Sequence, residues 1–130
     1  FPPAILDKYG MAVCFDVASQ LKTLEYLEKA EAALFVPSHA EPRGDIGPLV
    51  KRNRDALDEV RDRILGTCAV PSSREDLIAV LAVHFDLSLN PAQYVLTHIT
   101  VSAHLSHLAD DGTLEPLFEK GRMLWVRTSK

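Results

Sequence analysis

Only two cysteines stand in these 130 residues. Cys14 and Cys68 form no Cys-x-x-Cys pair and no dense framework, so the expected state is two reduced thiols in a cytoplasmic setting. Positive charge is not in excess either. The formal net charge is −4, which gives no support for nucleic-acid or anionic-membrane binding. No apolar run approaches the roughly 18 residues that a membrane span needs. A basic leader with an apolar core and cleavage site is also missing. There is no Gly-x-Ser-x-Gly elbow and no phosphate-binding loop, so serine-nucleophile catalysis and nucleotide binding have no footing.

What is present describes a globular chain. It is 47% apolar and 25% charged, far from the composition of disorder. The length suits one domain, or one domain plus a fragment. The chain opens on Phe1-Pro2-Pro3 rather than on methionine, and we expect it to be the tail of a longer polypeptide.

The organising stretch is Ala32-Ala33-Leu34-Phe35-Val36-Pro37-Ser38-His39-Ala40-Glu41-Pro42. Four apolar residues before Pro37 predict a strand covered on both faces, at whose carboxyl end Ser38 and His39 sit. In α/β architectures that end is where ligands and metals bind. Upstream, Ala4 to Tyr9 reads as a short helix behind two prolines, with Gly10 as its cap. Met11 to Phe15 reads as a strand, and Ser19 to Ala30 as a helix with Leu21, Leu24 and Leu27 on one side. Strand, helix, strand implies a parallel βαβ unit, which needs further strands beside it.

A polar turn at Glu41 to Asp45 marks the expected boundary between residues 1–45 and 46–130. A long helix follows from Ile46 to Gly66. Its apolar positions are Ile46, Leu49, Val50, Leu57, Val60 and Ile64. Between Ile46 and Val70 five basic and four acidic side chains nearly cancel, which describes a solvated surface. Asn53 falls on the apolar side and is expected to bond backbone near the boundary, because an unpaired buried amide costs about 1–3 kcal/mol. Ser72 and Glu75 have capping-box spacing before a second helix, with Leu77, Ile78, Leu81, Ala82 and Phe85 as its apolar face. Asn90-Pro91 opens a third helix that Gly112 stops. Leu114 to Phe118 and Met123 to Val126 read as a hairpin around Lys120-Gly121. Three helices and a hairpin predict a winged-helix-like module.

These stretches resemble a known family. Ile5-Leu6-Asp7-Lys8-Tyr9-Gly10, Phe15-Asp16 and the segment from Leu34 to Pro42 look like the C-terminal end of a metallo-β-lactamase-fold hydrolase. Leu49 to Asn53, Tyr94-Val95-Leu96 and the segment from Ala103 to Leu108 are similar to the winged-helix tail of some members. The resemblance implies a fold class: the strand-helix-strand end of an incomplete αββα sandwich, followed by a mainly α winged-helix module. It also implies that His39 is the family's last metal-binding histidine. The His-x-His-x-Asp-His signature and the middle metal-binding histidine are absent from this sequence. Asp16 has two readings, either the family's bridging aspartate or a residue beyond it with a capping or loop role. The implied metal is zinc, with iron or manganese as alternatives, and the implied chemistry is attack by metal-bound hydroxide on an ester, thioester, amide or phosphodiester.

With one or two ligands, this chain alone is expected to be inactive and to bind no metal. Its expected partners are the missing N-terminal half and a second copy of itself. Two other classes compete. As an interaction module, the chain would dimerise or shape an active-site rim. As a DNA-binding regulator it would need phosphate contacts, yet Asn90 to Asp111 contains no lysine or arginine. His104 and His107, one turn apart, are expected to face solvent or a partner. His84 and His98 are expected to be structural, as are Cys14 and Cys68.

Overall fold

A computed structural model describes residues 1–129 of the chain. Five helices and one hairpin follow each other: α1 (Pro3–Tyr9), α2 (Val17–Lys29), α3 (Gly47–Thr67), α4 (Arg74–His84), α5 (Pro91–Asp110), β1 (Leu114–Glu119) and β2 (Arg122–Arg127). The helix ends are set by side chains. Asp16 caps α2 by accepting from the Ser19 N–H, and Asn90 caps α5 by accepting from the Gln93 N–H. Gly10 closes α1 in the left-handed region at φ 67°, and its N–H reaches the Leu6 carbonyl. The capping box lies one residue beyond the expected pair, on Ser73 and Asp76. Ser72 is otherwise engaged, because its N–H and C=O pair with Trp125 at 3.0 and 2.8 Å.

Helix α3 is the spine. At 21 residues it spans about 31 Å. Its C-terminal half supplies Val60 and Ile64 to a core shared with Leu77, Ile78 and Leu81 of α4, Val101, Leu105 and Leu108 of α5, and Leu114 and Trp125 of the hairpin. Its N-terminal half supplies Leu49, Val50 and Leu57 to a second core with Cys14, Val17 and Leu24. Ala103 of α5 joins this second core as well. Both cysteine thiols are buried and unpaired. Burial raises both, and Cys68 is pushed up to about 11, so neither is a ready thiolate.

The hairpin pairs Leu114 with Arg127 through Glu119 with Arg122. Trp125 directs its N–H and C=O to Ser72, on the side away from β1. The Pro116–Trp125 pair is therefore a non-hydrogen-bonded one, and the missing proline N–H leaves nothing unsatisfied.

The expected parallel βαβ unit does not form. Met11 to Phe15 forms no strand, with bends at Met11 and Phe15, and Phe35 makes only an isolated antiparallel bridge with Arg43. An apolar run becomes a strand when a second backbone pairs along it, and among the described residues neither run has more than the single Phe35–Arg43 bridge. The Cys14 N–H goes instead to the Thr100 hydroxyl at 3.2 Å. Nor is the organising stretch covered on both faces: Leu34 is 58% and Val36 73% exposed. Among the described residues the only sheet is the two-stranded hairpin. Among the described residues the chain is thus mainly helical, with a two-stranded antiparallel hairpin and no strand-helix-strand unit.

Candidate functional site

His39 sits at the tip of a closed loop. Phe35 and Arg43 exchange two backbone hydrogen bonds of 2.8 and 2.9 Å, which draw the two ends of the segment together. Pro37 has no N–H to extend that ladder, and the chain turns over Ser38, His39 and Ala40. His39 occupies the left-handed region at φ 60° and is exposed. Left-handed backbone at a non-glycine residue costs roughly 1–2 kcal/mol and persists where the surroundings enforce it. Here the Phe35–Arg43 bridge enforces it.

The loop walls an apolar groove of about 410 Å³ between α2 and α3. Leu24 and Leu27 form one side, Ile46, Leu49 and Val50 the other, and Phe35 to His39 the rim. Asn53 stands at its polar end. This buried amide donates to the carbonyls of Leu49 and Phe1 at 2.9 and 3.0 Å and accepts from the Phe1 amino group at 2.6 Å. The expected backbone-bonding role of Asn53 is what the structure has.

Asp16 lies elsewhere. Its carboxylate accepts from the Ser19 N–H at 2.9 Å and from the Ser19 hydroxyl at 2.7 Å. The Ser19 backbone bond, followed by the hydroxyl, holds it below the usual carboxylate range. It shares a shallow cleft with Ser106, His107 and Asp110, whereas His39 belongs to the groove. The two residues line no common cleft, and Asp16 is occupied as a helix cap. Among the described residues no group of three or more His, Cys, Asp or Glu side chains is placed to hold a metal ion. Zinc takes about four ligands, so the donors present here do not fit a complete metal site.

The other histidines are placed by packing. His84 contacts Glu59 at 2.7 Å, and His98 accepts from the Arg74 guanidinium at 3.2 Å. His107 is partly exposed. His104, expected on an outer face, is instead 1% exposed. Its place was written in the spacing: it falls three residues after Val101 and four before Leu108, on the buried stripe of α5.

No protein-family model matches the chain, and no curated protein does. A solved structure does: a beta-lactamase domain protein from Burkholderia ambifaria superposes with a TM-score of 0.72 at 22% identity. The match covers 83% of this chain and 32% of that one, so this chain spans about a third of its neighbour's length. The shared feature is fold. None of the helices is long and apolar enough to cross a membrane among the described residues.

Proposed function

We propose that this chain is the C-terminal portion of a metal-dependent hydrolase of the metallo-β-lactamase superfamily. In that reading His39 supplies one ligand to zinc, or to iron or manganese, held mainly by residues of an N-terminal half. Asp16 serves as a helix cap. The unit from α3 to β2 is a winged-helix-like module that packs on the catalytic domain or on a second subunit. The observation that carries the reading is the fold shared with a third of a beta-lactamase domain protein. The His39 loop and its groove give it further support: an open apolar trough beside a prospective ligand is what a larger catalytic domain would cover. No catalytic step is assigned to this chain, because its own donors do not make a metal site.

The reading is tested by adding zinc to the 130-residue chain and measuring both metal bound after desalting and hydrolysis of ester, thioester and phosphodiester substrates. The expected result is neither stoichiometric zinc nor turnover. Stoichiometric zinc together with hydrolysis would refute it.

A second reading, a self-associating interaction module, draws on the hairpin. Phe118 is 74% and Met123 40% exposed, and they face each other across the strands. A DNA-binding role is disfavoured, because α5 carries no lysine or arginine to meet phosphates.

A further inference from the structure

The core of the molecule holds a buried imidazole that the hydrolase reading does not use. His104 is 1% exposed, and neither Nδ1 nor Nε2 has a hydrogen-bond partner among the described residues. Its ring borders a cavity of only about 10 Å³, walled by Leu6 of α1 and by Asn53, Leu57 and Val60 of α3. That is about the space of one water molecule, too little for a ligand. The ring therefore stands where α1, α3 and α5 meet.

The charged groups that oppose a second ring proton come from two helices. From α3 the ring feels the Arg61 guanidinium, whose own partners are Asp58 at 2.6 Å and Asp62 at 2.8 Å. From α5 it feels His107, one turn on. Phe1 borders the same cavity, with its backbone nitrogen held by Asn53. From α1 the neighbour is the apolar Leu6. The carboxylates of Asp16 and Asp110 line the outer cleft with His107, not the cavity at His104. An imidazolium here would carry two N–H donors with no protein acceptor, near an arginine and inside mostly apolar walls.

We propose that His104 is an acid-sensitive latch: neutral, it lets α5 close on α1 and α3, and a second ring proton opens that junction. Burial first, and then His107 and Arg61, lower the ring to about 4 from the ordinary 6.5. The sign follows from linkage. Below the ordinary value the unfolded chain binds the proton and the folded chain does not, so stability falls as pH drops from 6.5 toward 4 and this contribution levels off below. Over that window the unfolding constant rises by about two to three powers of ten through this one residue.

The experiment is urea unfolding of the full chain between pH 7.5 and 4, beside His104→Leu, with the His104 ring followed by NMR in the parent chain. The difference between the two chains removes the carboxylate contributions common to both. Expected are a loss that shrinks in H104L by about two powers of ten or more, and a parent ring that stays neutral below pH 5. After correction for intrinsic rates, α5 amides should exchange faster at the acid end in the parent only. Equal acid loss in both chains would overturn the proposal. If H104L does not fold, the ring titration decides alone, and titration near the ordinary histidine value overturns it.

Discussion

Leu81→Ala is expected to remove about 3–5 kcal/mol of stability. Leu81 is 0% exposed and sits at the centre of the larger core, where α3, α4, α5 and the hairpin converge. Truncation loses the transfer free energy of three buried carbons. It also leaves a cavity that the surroundings refill poorly, because α4 is held at its start by the Ser73–Asp76 box and at its end by the Phe85 N–H bond to the Leu81 carbonyl. A domain of this size is stable by roughly 5–15 kcal/mol, so the loss is a large fraction of the whole. Thermal unfolding followed by circular dichroism should show a midpoint lowered by roughly 10–20 °C. Leu81→Met, which conserves volume, should cost less than about 1.5 kcal/mol. Equal losses for both variants would mean that packing at this point is not what holds the helices together.

Gly10→Ala is expected to cost about 2–4 kcal/mol, from two sources that act together. Gly10 adopts φ 67°, where an L side chain is strained by about 1 kcal/mol or more. A Cβ there would also overlap the ring of Phe85, meeting its Cδ1, Cε1 and Cγ atoms. That ring cannot swing aside cheaply, since it packs against the main core and edge-on to His84 at 4.6 Å. Gly121 is the internal control. Its φ is 74°, but a Cβ there meets nothing within 4 Å, so Gly121→Ala carries the backbone strain alone. Urea unfolding of the two variants side by side reads the difference. A Gly10→Ala loss no larger than that of Gly121→Ala would show that α1 does not seat on the end of α4.

Much of the helical architecture was legible because its boundaries are written in local chemistry. Pro2-Pro3 with Gly10, Asn90-Pro91 with Gly112, and Lys120-Gly121 each impose a backbone conformation that no distant residue needs to supply. The capping box was ambiguous for the same local reason. Ser72 with Glu75 and Ser73 with Asp76 have identical spacing, and the long-range bridge from the Ser72 backbone to Trp125, with the Ser72 hydroxyl bonded to the Thr67 and Val70 carbonyls, decides between them. That Met11 to Phe15 and Ala33 to Val36 form no strands was not legible. An apolar run records that a segment is to be covered, whereas a strand requires a hydrogen-bonding neighbour that the run does not name.

The site divides along the same line. The turn at His39 followed from Pro37 and Ser38, while its closure by Phe35 and Arg43 is a pairing that composition does not reveal. Asp16 as a cap was one of two open readings, and the Ser19 bonds identify that role here. The burial of His104 follows from its position on the Val101–Leu108 stripe, which overrides the solvent-facing place expected of a histidine one turn from His107.

The central claim, that His39 belongs to the last part of a larger metal-dependent hydrolase, is tested most directly by sequencing the coding region upstream of Phe1. The account predicts an uninterrupted frame that encodes a His-x-His-x-Asp-His cluster and a further metal-binding histidine before Phe1. An in-frame start immediately before Phe1 would contradict it, leaving His39 as an ordinary turn residue and the helices with their hairpin as the functional unit.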